Sequence, residues 1–311
     1  MAGITHSAFR RLVADFGGYG VLYTEMLSPR ALLHENLETS PWCKTRPSEG
    51  RVIYQLRLSG PDNVALVVER LRRLNPFGLD VNLGCPAPEI VRNNSGMALF
   101  RDRDRAAATI EAIRRAWDGV LTVKCRLGDN TPEWQDYLAG MLTMYRDGGV
   151  DAVVLHPRFA DERRKRLART EGYIFALAQT DIPVIANGDI GSIEQIQRIR
   201  SACPNIAGFM IGRHAVVKPW IFAQISGLTV EIDYAEVWQR FYDYLLEDFP
   251  PERAIGRLKE FSGYYARNFF FGHNLHMAVQ SATNLTILRS RAMQFLTAGP
   301  QLACQPLVDG L

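Results

Sequence analysis

From its start to about Gly227 the chain alternates short apolar runs with segments of helical spacing, and this alternation restricts the fold more than any other feature. The runs that read as strands are Gly20–Thr24, Val52–Leu56, Leu79–Asn82, Leu121–Cys125, Ala152–His156, Val184–Asn187 and Gly208–Ile211. Asp62–Leu74, Asp104–Trp117, Pro132–Asp147 and Ser192–Ser201 lie between them, with apolar residues three and four apart. Pro61 and Asp62 make a good helix start, and Ser192 with Gln195 three residues on makes a plausible cap. Repeated βα units imply a parallel sheet, either an open doubly wound sheet or a closed (β/α)8 TIM barrel. Seven strands are counted where a closed barrel needs eight. The missing one is the first, because Met1–Thr5 reads as a loop and Ser7–Phe16 as the helix after it.

Beyond Gly227 the strands stop. Tyr234–Glu247, Glu252–Phe270 and Asn284–Phe295 all have helical patterns. The expected organisation is a barrel over residues 1–227 and a small all-helical C-terminal domain over 228–311. From Glu231 to Leu311 there are seven Lys/Arg against nine Asp/Glu, so the positive excess of a chain whose net charge is +3 lies in the barrel part. So mild a charge permits contact with nucleic acid without predicting it. No apolar run approaches the length of a membrane span, and none reads as a signal peptide. The five cysteines form no Cys-x-x-Cys pair. A disulfide framework is therefore not expected, and a reducing, cytoplasmic setting is.

The strand ends carry polar side chains. Gln55 follows Val52-Ile53-Tyr54; Asn82 precedes Gly84-Cys85-Pro86; Lys124 and Arg126 flank Cys125; His156 and Arg158 follow Leu155. Asn187-Gly188-Asp189 and Gly212-Arg213 close the last two strands. One such residue is usually a satisfied structural polar group. Six strand ends in succession point instead to one rimmed site on the face where parallel α/β folds bind ligands. The last two ends offer glycine backbone and an arginine, which suit a phosphate. Gly84 and Pro86 hold Cys85 in a stiff loop just past a strand end. A free cysteine is most often a small buried hydrophobe, but this loop location favours chemistry. Cys125 alternates with Lys124, faces the other way and is read as packing; Cys43, Cys203 and Cys304 receive no role. The charged run Asp161–Arg166 is a solvated loop by default and a polyanion contact by alternative. No Gly-x-Gly-x-x-Gly follows a strand, and no spacing supports a metal site.

Taken in order, several stretches resemble the tRNA-dihydrouridine synthases. They are Met1-Ala2-Gly3-Ile4-Thr5, Thr24-Glu25-Met26, Gln55-Leu56, Val81-Asn82-Leu83-Gly84-Cys85-Pro86, Gly96 with Ala98-Leu99, Val123–Gly128, Pro183–Ile190 and Met210–Arg213. The resemblance spans nearly the whole barrel part. It implies an FMN enzyme that reduces the 5,6 double bond of a uridine in tRNA, with NADPH as reductant. It places Met1, Ala2, Gln55, Lys124, His156, Asn187, Gly188, Asp189, Gly212 and Arg213 at the flavin, and Cys85 as the proton donor. A thiol is mostly protonated at neutral pH and can give its proton to carbon 5. Asn82 and Arg126 would meet the substrate. Arg257, Lys259 and Tyr264 match the family's basic-aromatic helix that meets tRNA, and Arg163–Arg166 could hold the RNA backbone. The Arg-x-Lys-x-aromatic pattern leans toward the subgroup acting on position 16 of the D-loop, and a monomer is the default.

Two features depart from the family pattern. His156-Pro157-Arg158-Phe159 stands where relatives usually have His-Gly-Arg-Thr, so one backbone N–H is absent. The family's Ala-Pro-Met-Ala-Gly motif is cut at Met1, so a longer native protein is expected, with a short apolar strand and Ala-Pro upstream. Two other functions compete: a flavin oxidoreductase acting on a free pyrimidine, similar to dihydroorotate dehydrogenase, and an idle barrel that only binds RNA.

Overall fold

The computed structural model describes residues 1–162 and 166–304. Its central element is a seven-stranded sheet in simple sequential order, β1 (Leu22–Leu27), β2 (Val52–Leu56), β3 (Gly78–Leu83), β4 (Val120–Gly128), β5 (Ala152–Phe159), β6 (Val184–Asn187) and β7 (Gly208–Met210). Every pairing from β2 to β7 is parallel. All seven expected strands exist, and β2 and β6 have the expected ends. β1 lies later than expected because Glu25 is a strand residue rather than the start of a loop. β4 and β5 run on by three residues each, through Arg126 and Arg158.

That extension explains Pro157. Arg126 pairs with His156 and Gly128 with Phe159, so β5 carries one extra residue between the two pairs. Such a bulge leaves a backbone N–H without a ladder partner, and proline, which has none, is tolerated there.

The chain divides into two compact units, one comprising Met26–Ser40 and Arg51–Ile211, the other Met1–Glu25, Pro41–Gly50 and Gly212–Leu311. In the first, helices Val64–Arg72, Arg103–Ala116, Trp134–Asp147, Thr170–Gln179 and Ile193–Ala202 follow the strands. Leu79, Val81, Leu83, Val123, Cys125, Leu127, Val153, Leu155, Val184 and Ala186 are buried. Ser192 caps its helix as expected, its hydroxyl accepting from Gln195 N–H at 3.3 Å. Helix Thr170–Gln179 was missed, since it is apolar nearly all round and shows little of the periodicity that identifies a helix.

The second unit is built on aromatic packing. Phe241 meets Phe261 at 4.1 Å between ring centroids, and Phe9, from helix Ser7–Ala14, stands edge-on to Phe241 at 6.3 Å. Trp238 Nε1 donates to Ser262 Oγ at 2.9 Å in the same core. Arg10 and Glu49, both buried, are joined at 2.6 Å. Helices Tyr234–Asp248, Pro251–Tyr265 and Leu285–Thr297 were expected, whereas Gly272–Gln280 was not.

No helix among the described residues is long and apolar enough to cross a membrane.

Candidate active site

Register gathers the polar strand residues into layers on one face. Gln55 pairs with Asp80 and Asp80 with Thr122; Asn82 pairs with Lys124; Arg126 pairs with His156. Partners in register share a face, as do residues two apart on one strand, so these seven side chains project together. Cys125, between Lys124 and Arg126, points to the opposite face and is fully buried, as expected. Burial pushes its thiol up to about 12, which leaves it inert.

Hydrogen bonds link the layers. Thr122 Oγ1 donates to Asp80 Oδ1 at 2.5 Å and Gln55 Nε2 to Asp80 Oδ2 at 2.8 Å. Asn82 Nδ2 donates to Gln55 Oε1 at 3.0 Å. Asn82 Oδ1 in turn accepts the N–H groups of Gly84 at 3.3 Å and Cys85 at 3.0 Å. The loop after β3 is thus tied to the strand layer below it. Its other anchor is Met97 N–H on the Cys85 carbonyl at 3.0 Å. Gly96 makes that approach possible, because its φ is +60° and a Cβ there would lie 2.5 Å from the Cys85 carbonyl oxygen.

The charges on this face are perturbed. Burial, then the neighbouring Arg126, brings Lys124 down to about 8, against the pull of Asp80. Its half-buried ammonium donates no hydrogen bond among the described residues. Burial raises Asp80 to about 7, against the hydrogen bonds from Thr122 and Gln55 and the charge of Lys124. A carboxyl whose folded pKa is raised favours folding at low pH and loses that contribution as pH rises toward about 7. Replacing Asp80 by Asn is therefore expected to remove a decline in stability of up to about 1.4 kcal/mol per pH unit between acid and neutral pH. Urea midpoints at several pH values check this; parallel curves for wild type and variant would refute it.

Arg158 is nearly fully buried. Its Nη2 donates to both carboxylate oxygens of Asp189, at 2.8 and 2.7 Å; Nη1 meets His156 Nε2 at 2.9 Å; Nε donates to the Arg166 carbonyl. Ala168 N–H also donates to Asp189, at 2.9 Å. Asp189 therefore enters the site already neutralised. Gly188, at φ +127°, leaves room for the His156 ring, which a Cβ would approach to 2.8 Å. Asn187 Nδ2 donates to the Met210 carbonyl at 2.9 Å. Arg126 Nη1 donates to the Phe159 carbonyl at 3.0 Å. Arg163, Arg164 and Lys165 lie outside the described residues.

Met1, Ala2, Gly212 and Arg213 belong to the second unit. The Met1 carbonyl accepts from Ile4 and Thr5 N–H at 3.2 and 3.1 Å, which makes Met1–Thr5 a tight turn. Met1 Sδ lies 3.6 Å from the place of a Cβ on Gly212, the residue that opens the short helix at Arg213. On helix Pro251–Tyr265, the Arg257 guanidinium lies over Phe249 and Trp42, 4.1 and 4.7 Å from their centroids. Lys259 Nζ donates to the Gln280 carbonyl at 2.9 Å. Tyr264, on the same helix, is 8% exposed. Among the described residues no group of three or more His, Cys, Asp or Glu could hold a metal ion.

A family model described as Dihydrouridine synthase (Dus) matches residues 1–249. The chain belongs to the dihydrouridine synthase family. A "Probable tRNA-dihydrouridine synthase" of Rickettsia bellii is 31% identical over 230 residues, covering 73% of this chain and 68% of the relative. Like-named proteins of Helicobacter pylori and Rhodobacter capsulatus are each 28% identical. The first spans 95% of this chain and 90% of its own length, the second 93% and 92%. Among solved structures, a 2-naphthoyl-CoA reductase complex has a TM-score of 0.53 at 9% identity, covering 72% of this chain and 48% of its own. The old yellow enzyme from Trypanosoma cruzi has 0.51 at 8%, covering 76% and 86%. At such identities the likeness shows the fold alone, an α/β TIM-barrel type, and family membership rests on the sequence matches.

Asp80 and Thr122 were missed as site residues. The signal was present: Asp80 has the same strand parity as Asn82, and Thr122 the same as Lys124.

Proposed function

We propose that this chain reduces the 5,6 double bond of a uridine in tRNA, with FMN as bound cofactor and NADPH as reductant. The observation that carries the proposal is the Cys85 loop fastened by Asn82 beside Lys124, whose ammonium projects from the same strand face and donates no hydrogen bond among the described residues. These residues fit a flavin. A cation with free N–H donors suits the pyrimidine edge, which gains negative charge on reduction, and the pairing of Asp189 with Arg158 removes a carboxylate that would repel the phosphate. FMN, once bound, supplies the hydride that reaches carbon 6 of the uracil. Lys124, Gln55 and Asn82 orient the rings, with His156, Asn187, Gly188 and Asp189 toward the phosphate end; Met1, Ala2, Gly212 and Arg213 are proposed flavin contacts on the family resemblance alone. Cys85 gives its thiol proton to carbon 5 and is reprotonated from solvent. The uridine has to leave the RNA stack to reach this face. Arg126, Arg257 and Lys259 are the proposed contacts to the tRNA backbone, in keeping with phosphate contacts that position a substrate without reading its sequence.

The test is an absorbance spectrum of the purified protein for flavin, followed by mass analysis of unmodified tRNA incubated with enzyme and NADPH. Bound flavin and a mass gain of two hydrogens at a uridine support the proposal. Flavin with turnover only of free pyrimidine, or no flavin at all, overturns it.

Lys124 gives the site a pH dependence. Its folded pKa of about 8 means that the ammonium charge is present below that value and lost above it. FMN affinity is expected to fall as pH is raised from about 7 to about 9, and Lys124→Met to bind about ten-fold more weakly at neutral pH without that fall. Fluorescence titration with FMN reads both, and wild-type affinity in the variant would make the lysine structural.

A further inference from the structure

One buried carboxyl on the site face, that of Asp80, takes no part in the chemistry proposed above. It is fully buried, yet both its oxygens are engaged, Oδ2 by the Gln55 amide and Oδ1 by the Thr122 hydroxyl. The consequences run in one direction. A primary amide has a donor end and an acceptor end, and each hydrogen bond that fixes one end fixes the other. Asp80 Oδ2 accepts, so Gln55 turns Nε2 toward it and leaves Oε1 for Asn82. Asn82 then donates from Nδ2 and turns Oδ1 upward, where it receives Gly84 and Cys85 N–H. Were Gln55 reversed, its Nε2 would face Asn82 Nδ2, and Asn82 would have to reverse too. Two N–H donors would then confront the N–H groups of the loop.

We infer that Asp80, together with Thr122, is a positioning residue that sets the direction of a hydrogen-bond relay through Gln55 and Asn82 and thereby holds the Cys85 loop. Thr122 completes the device. A hydroxyl both donates and accepts, so it donates to the carboxylate and accepts from the protonated acid. In either form the oxygen facing Gln55 remains an acceptor, and the relay keeps its direction although Asp80 titrates near neutral pH. Lys124, one layer above beside Asn82, is the charged group that faces Asp80. The use made of the loop rests on the proposed function; the relay itself does not.

The test needs neither cofactor nor substrate. Hydrogen exchange at the Gly84 and Cys85 amides, and iodoacetamide labelling of Cys85 against exposed Cys304 as internal reference, are followed in four variants. Asp80→Leu removes the acceptor, and exchange at Cys85 is expected to quicken about two- to ten-fold, as the loss of a net hydrogen bond implies, with faster labelling. Asp80→Asn mimics the protonated acid and is expected to retain wild-type protection, because Thr122 can turn to accept from its Nδ2. Thr122→Val alone is also expected to retain it, since the carboxylate still accepts from Gln55. Asp80→Asn combined with Thr122→Val is expected to lose it. Wild-type exchange and labelling in Asp80→Leu, or in the double variant, overturns the relay. If Asp80→Leu does not fold, the comparison of Asp80→Asn with its double variant decides. Single-turnover dihydrouridine formation should slow in the same variants with tRNA affinity unchanged. A wild-type protein that makes no dihydrouridine would defeat the proposed function and leave the exchange result standing.

Discussion

Replacing Cys85 by Ala is expected to reduce dihydrouridine formation by about 10²–10⁴, the usual cost of removing a positioned general acid. Binding of FMN and its reduction by NADPH should persist, because the Asn82 hydrogen bonds go to the loop backbone and not to the thiol. Rapid-mixing measurements separate the steps: flavin reduction at the wild-type rate, then slow reoxidation by tRNA. A serine in place of the cysteine should recover little, since its hydroxyl is a much weaker acid than the thiol. Undiminished transfer to tRNA in the alanine variant would remove Cys85 from the chemistry. Cys125 cannot stand in for it, being buried on the opposite face with its thiol pushed up to about 12.

The second large effect is on stability. Arg158→Leu should destabilise the fold by about 3–5 kcal/mol, the cost of taking one partner from a buried ion pair. The side chains of Arg158 and Asp189 are only 2% and 18% exposed, so a carboxylate that has lost the arginine gains little from solvent. His156 and the Arg166 carbonyl would also lose a donor. Adding Asp189→Asn should recover a good part of the loss, because it removes the carboxylate charge that Arg158 had balanced. Urea unfolding of the two variants and of Asp189→Asn alone makes the double-mutant cycle. A loss of under about 1 kcal/mol in Arg158→Leu would mean that the pair behaves as a surface salt bridge.

The strands, the order of the βα units and the face of the sheet that carries the site were all legible along the chain. Each depends on local periodicity: apolar runs mark strands, and alternation puts Lys124 on one face and Cys125 on the other. Gly84 and Pro86 likewise announced a stiff loop at Cys85, since those residue types restrict or punctuate backbone shape, whereas the part played by Gly96 appeared only in the fold. The resemblance to the dihydrouridine synthases could be read from the same short stretches, and the family match over residues 1–249 agrees with it.

Other properties depended on contacts between residues far apart in sequence. Arg158 read as one more strand-end cation facing a ligand, and the fold turned it inward onto Asp189, 31 residues away. Pro157 read only as a missing backbone N–H, and its place at a bulge is revealed by the register between β4 and β5. Asp80 shares its strand parity with Asn82, which marks its face, but nothing nearby in sequence marks its partners. Its partners are 25 and 42 residues distant, and they meet it only because parallel strands align Gln55, Asp80 and Thr122 in one row. Local sequence determined which elements form and which way their side chains alternate, because those preferences are settled within a few residues. Which polar groups pair, and so which remain available for ligand, was decided by the tertiary structure, because a hydrogen bond requires its two ends within about 3 Å and strand register alone brings them there.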